Sequence, residues 1–311
     1  MPAEWLAPVR RVRSLVTGAA YGGAVLIIDS HCHAWTYWPY EPPVPDPESR
    51  GLAEQLVHEM DLNGVQQATI VSAQIWHNPT NNDYIAESVR RFPTRLHQYA
   101  DVDSSWRDTY HAPGAAQRLE DAADRWPIKG FTHYLSADDD GKWMHSPAGI
   151  EFFRIAAERR LIASIACYPH QQPAIRRVAE RFSELPILCH HMSGLKISEP
   201  PPHKSLAEVI ASASLPNIYL KLSGFHYLSE PEESGEYPYS AAMWLYRACY
   251  EAFGPRMCWG SDYPVVRGWM TYRQALEAFR RHCNFVSAAD RDAILGGTLH
   301  QLLQWARDVR L

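Results

Sequence analysis

The chain has 311 residues, 46% of them hydrophobic and 21% charged, with a net charge of -5. That length allows one large domain or two ordinary ones with a sizeable core. The mild acidity, with no basic stripe, argues against nucleic-acid binding, and no apolar stretch reaches the ~18–20 residues a membrane span needs.

Residues 1–23 read as an amino-terminal extension and 24–311 as the folded unit. Arg10-Arg11-Val12-Arg13 followed by an apolar stretch looks like a secretory leader. The apolar part runs straight into the first strand, however, so cleavage would remove that strand. Eight short β-rich runs follow: 25–33, 67–74, 96–103, 128–135, 162–169, 186–192, 218–225 and 257–264. Between them lie segments with apolar residues at three-to-four spacing: 52–62, 83–91, 115–125, 149–160, 173–182, 205–213 and 241–253. Two more, 272–281 and 288–307, follow the last run. Strand–helix alternation repeated eight times predicts an α/β fold with a parallel sheet closed into a (β/α)8 TIM barrel. A doubly wound open sheet would bring a Gly-rich turn after the first strand, and none is present. Two Pro-rich loops, 38–47 and 198–203, follow strand ends and would sit on the face where barrel enzymes place their sites.

The first run ends in His31-Cys32-His33. Alternate residues of a strand share a face, so His31 and His33 point the same way and Cys32 away. Further histidines gather at strand exits: His77, His133, His170, His190, His191 and His226, with Asp262 at the eighth. His190 and His191 are adjacent, so strict alternation lets only one of them face the mouth. Imidazoles with one carboxylate suit a borderline divalent ion. The candidate ligands are His31, His33, His191 and Asp262. Zinc comes first, manganese or iron are alternatives, and a metal-free mechanism stays open. An open coordination position would activate water. Asp262 is the candidate base, and His191 the group that polarises a carbonyl or protonates a leaving oxygen. Eleven Trp and sixteen Tyr suit either a core or the wall of a pocket for a ring-shaped ligand. The candidate substrate-binding residues are Trp35, Trp76, His77, His133, Tyr134, Tyr168, His170, His226 and Tyr263, with Trp38 beside them. The six cysteines show no CxxC spacing and read as reduced thiols of a cytoplasmic protein.

Four segments carry a family resemblance: Ile28-Asp29-Ser30-His31-Cys32-His33, Leu188-Cys189-His190-His191-Met192-Ser193-Gly194, Tyr219-Leu220-Lys221-Leu222-Ser223-Gly224 and Trp259-Gly260-Ser261-Asp262-Tyr263-Pro264. Together they resemble the amidohydrolase superfamily over residues 25 to about 300. The nearest branch is the amidohydrolase 2 hydrolases that hold sugar lactonases and pyrone-dicarboxylate lactonase. The resemblance implies that His31 and His33 are a metal pair and Asp262 the eighth-strand base. It makes His191 the histidine of an Asp-His-x-Gly segment, with His190 in place of the Asp. The chain departs from the pattern at three places. The fifth strand offers only Cys167 or His170 as a ligand. His133 follows Lys129-Gly130-Phe131-Thr132 where an Arg is usual, and Thr298 stands in place of an Asn. The expected activity is hydrolysis of a lactone, ester or amide in a small ring-containing molecule. A non-oxidative decarboxylase or other lyase on the same barrel is the second reading, and an inactive barrel serving binding or assembly the third. The partner expected is a small-molecule substrate, with no nucleic acid or membrane, and a homodimer is one option.

Overall fold

A computed structural model describes residues 25–40, 44–229 and 237–307. The amino-terminal extension assigned to 1–23 lies outside these residues. Eight strands form one sheet in the order β1 to β8, and each is parallel to its neighbour. They are β1 (Ile28–Cys32), β2 (Gln67–Val71), β3 (Leu96–Asp101), β4 (Ile128–Tyr134), β5 (Ile162–Ala166), β6 (Ile187–Cys189), β7 (Ile218–Leu222) and β8 (Met257–Trp259). Seven helices lie between successive strands: α1 (Ala53–Asn63), α2 (Asn81–Arg91), α3 (Ala115–Arg125), α4 (Pro147–Glu158), α5 (Gln172–Arg181), α6 (Lys204–Ala211) and α7 (Met243–Phe253). The ring closes just past the formal strand ends, where Asp262 N donates to His31 O at 2.7 Å and His33 N to Tyr263 O at 2.6 Å. This is a (β/α)8 TIM barrel.

After β8 come α8 (Tyr272–His282), α9 (Ala288–Asp292) and α10 (Thr298–Trp305). The helix expected over 288–307 is interrupted by a π-helical turn, Ala293–Gly297. α10 lies under the barrel. Its Leu299, Leu302 and Leu303 pack with Ile28, Val71, Tyr99, Ile162, Leu188 and Cys258, which fill the lower barrel interior. The other faces of the strands pack against the surrounding helices in one continuous core. Period-two alternation decides which side chain joins which layer. In β4, Phe131 faces the helices and meets Phe152, whereas Gly130 faces inward, where a Cβ would sit 2.3 Å from Ile162 O. No helix among the described residues is long and apolar enough to cross a membrane.

Candidate active site

The first strand does not keep a strict alternation. Ile28 joins the interior cluster, and His31, an odd number of residues further on, also faces inward. A register shift between Asp29 and Cys32 supplies the extra residue that rephases the strand. His31 and His33 then converge, with Nε2 atoms 3.2 Å apart, while Cys32 turns outward into the helix-facing core. Asp29 fixes the exit of β8 against β1. Its carboxyl accepts from Ser261 N at 2.9 Å, Ser261 Oγ at 2.5 Å and Tyr272 OH at 3.0 Å, although burial pushes its pKa up to about 6. Asp262 follows in the left-handed conformation, φ 59°.

The carboxylate of Asp262 is the centre of the site. Oδ1 lies 3.6 Å from His31 Nε2, 3.6 Å from His33 Nε2 and 4.0 Å from His191 Nε2; Oδ2 lies 3.7 Å from His226 Nε2. Neither oxygen has a hydrogen-bond partner among the described residues, and the side chain is 1% exposed. Burial alone would raise its pKa, but His191, His33 and His226 outweigh that effect and hold the carboxyl below its ordinary value. His31, His191 and His226 are lowered as well. Burial drives His191 and His226 down to about 4. Burial, Lys221 and the neighbouring imidazoles drive His31 well below its ordinary value. At neutral pH the carboxylate is therefore ionised beside neutral His31, His191 and His226.

Such an arrangement fits a divalent cation. His33 Nδ1 donates to Val71 O at 2.7 Å, which leaves the Nε2 lone pair free to ligate; this is the usual outer support of a metal-bound histidine. Together with His31 Nε2 and an orphaned Asp262 oxygen it forms a three-donor set whose atoms all lie within 4.8 Å of one another. His31, His190 and His191 form a second such set.

His190 and His191 both line the cavity, contrary to the alternation argument. Strand β6 stops at Cys189, and His190 continues its inward phase. His191, Met192 and Ser193 then take φ values of 43°, 52° and 59°, and this left-handed turn swings the second imidazole inward as well. Ser223 Oγ meets His191 Nδ1 at 3.0 Å. Gly224 is needed beside it, since a Cβ there would stand 2.7 Å from that nitrogen.

Above the carboxylate opens a cavity of about 350 Å³, walled by Tyr40, Tyr134, Tyr168 and Tyr227. Tyr134 and Tyr168 were expected there, and Tyr40 and Tyr227 were not. Other candidate wall residues lie elsewhere. Trp35 is fully buried behind His33, stacked on it at 4.9 Å. Trp38 packs edge-on against Trp35. Trp76 is 68% exposed on the rim, and His77 packs outside against Tyr37. His133 is on the helix-facing side of β4, beside Trp143 and Phe152, with Nδ1 donating to Val102 O at 3.0 Å. The exposed His170 contacts Asp139 O, and Tyr263 is buried against Tyr272. His226 lies behind Asp262, stacked on Trp269 at 4.2 Å. None of these eight lines the cavity. The fifth strand contributes neither Cys167 nor His170 to the cluster around Asp262; its inward residue there is Ser164.

Lys221 carried no role in the sequence reading. It is fully buried on the inward face of β7, and its Nζ lies 2.7 Å from Ser164 Oγ and 3.2 Å from His31 Nδ1. Burial lowers its pKa to about 7. A single lysine at an inward position of Ile218–Leu222, an otherwise apolar strand, was the signal available.

A family model described as amidohydrolase matches residues 28–303. No curated protein sequence matches the chain. Among solved structures, a zinc-bound amidohydrolase from Burkholderia multivorans superposes with a TM-score of 0.71 at 21% identity, covering 90% of this chain and 99% of that one. A probable 2-pyrone-4,6-dicarboxylic acid hydrolase from Acinetobacter baumannii, with citric acid bound, gives 0.70 at 18% identity over 89% and 99%. The 5-carboxyvanillate decarboxylase of Sphingomonas paucimobilis gives 0.60 at 15% identity over 90% and 99%. Barrel, inward histidine pair and family match together place the chain in the amidohydrolase family.

Proposed function

We propose that this amidohydrolase opens a lactone, ester or amide bond of a small ring-containing molecule by hydrolysis. The observation that carries the reading is the ionised Asp262 carboxylate, free of hydrogen bonds, on the floor of a tyrosine-walled cavity. Zinc, with manganese or iron as alternatives, held by His31, His33 and Asp262 with His191 in reach, would supply Lewis acidity toward water and the carbonyl. Asp262 removes a proton from the attacking water. Neutral His191, 4.0 Å from that carboxylate, carries the proton onward to the leaving oxygen or, in an amide, the leaving nitrogen, so the base is restored as the bond breaks. The tyrosine wall bounds a space that suits a single ring. The six cysteines are buried free thiols, which supports a reducing, cytoplasmic setting. The test offers metal-loaded protein a panel of lactones, esters, amides and aromatic acids. Proton release from a lactone or ester, or amine release from an amide, without carbon dioxide and lost on Asp262→Asn, is the expected result. Carbon dioxide release would establish the decarboxylase instead.

A further inference from the structure

His190 is 2% exposed and lines the cavity, with its ring held edge-on to Tyr134 at 5.1 Å. The two ring nitrogens are in different situations. Nε2 lies 2.6 Å from Ser164 Oγ, in the barrel wall. Nδ1 is buried and has no hydrogen-bond partner among the described residues. An orphaned polar atom in a cavity-lining side chain calls for a partner that arrives with a ligand.

The donors behind the ring decide which nitrogen carries the hydrogen. Lys221 Nζ donates to Ser164 Oγ at 2.7 Å, and an amine has an N–H to give in either charge state. Ser164, already accepting from Lys221, gives its own hydrogen to His190 Nε2. A neutral imidazole that accepts at Nε2 holds its hydrogen on Nδ1. Nδ1 is therefore an N–H donor, not a lone pair.

We propose that His190, fixed as its Nδ1–H form by Ser164, is a catalytic hydrogen-bond donor to the oxygen on which negative charge develops during hydrolysis. This rests on the hydrolytic reading of the site. The hydrogen stays on His190 throughout. Asp262 and His191 move the water's proton, while His190 stabilises the oxyanion. Ser164 is its positioning residue.

Two measurements test this. The first needs no substrate. Long-range ¹H–¹⁵N spectra of the full chain, labelled at histidine and assigned with His190→Asn, should show His190 as the Nδ1–H tautomer, shifting to a mixture in Ser164→Ala and returning in Ser164→Thr. An Nε2–H tautomer in the parent overturns the inference. The second is steady-state kinetics on the metal-loaded enzyme. His190→Gln, whose amide reaches only where Nε2 sits, should lose about 10²–10³ in kcat with KM nearly unchanged. His190→Asn, whose amide occupies the Nδ1 position, should lose less in kcat than His190→Gln. Equal kcat for the parent and His190→Gln, with Asp262→Asn inactive, overturns the inference and leaves the hydrolytic reading standing. A parent inert toward every lactone, ester and amide overturns both.

Discussion

Replacing Asp262 with Asn should cost the metal-free protein stability at neutral pH and inactivate the enzyme. The fold holds the Asp262 carboxyl below its ordinary value, so its ionised form contributes stability at neutral pH that a neutral side chain lacks. Asn keeps the shape, tolerates the φ of 59° and removes the charge. A loss of stability in chelator is expected, read as a fall in Tm of about 2 °C per kcal/mol for a chain of this size. Added zinc should raise the parent's Tm through mass action, while the variant, short of its anionic ligand, should barely respond. Turnover should fall by about 10²–10⁴, the usual worth of a positioned base. Thermal denaturation followed by circular dichroism, with chelator and with zinc, reads the first two effects. A variant more stable than the parent in chelator, or one with an undiminished zinc shift, would refute the account of Asp262 as an anion that the site favours and that binds a cation.

Asp29→Ala would strand the buried donors of Ser261 and Tyr272 and should cost about 3–5 kcal/mol in urea denaturation; a loss under 1 kcal/mol would remove its role in closing β1 on β8. Lys221 binds its proton at about 7 in the folded chain, against an ordinary value of about 10.5 in the unfolded chain. Between those values the unfolded state holds more protons, so this residue's contribution to stability rises with pH, by at most about 1.4 kcal/mol per unit. The stability difference between the parent and Lys221→Met should therefore move in the parent's favour from pH 7.5 to 9.5, and a pH-independent difference would contradict it. Gly130→Ala would press a methyl against Ile162 O and the Tyr99 ring, and the resulting overpacking should cost about 1–3 kcal/mol in the same assay.

Repeated short-range patterns made the barrel readable. Each strand–helix unit carries its own period in the sequence, and eight such units in series leave few topologies. His31, His33 and Asp262 were legible because each directly ends or follows a strand run. Wall residues were read less well. His133 lies at the end of a strand and Trp35 follows one, yet pleating sends His133 to the helix layer, and the chain folds Trp35 behind His33. Lys221 was hidden in a run that reads simply as core.

By itself the sequence determined the strand–helix order and the chemistry available at the strand exits, because both depend on local periodicity and residue type. Only the tertiary structure decided that a shifted register in β1 turns His31 inward, that a left-handed turn brings His191 in beside His190, and that Lys221 and Ser164 stand behind them. Those outcomes depend on backbone irregularities and on contacts between strands distant in the chain, such as the 190 positions separating Lys221 from His31, and a local pattern carries no record of either.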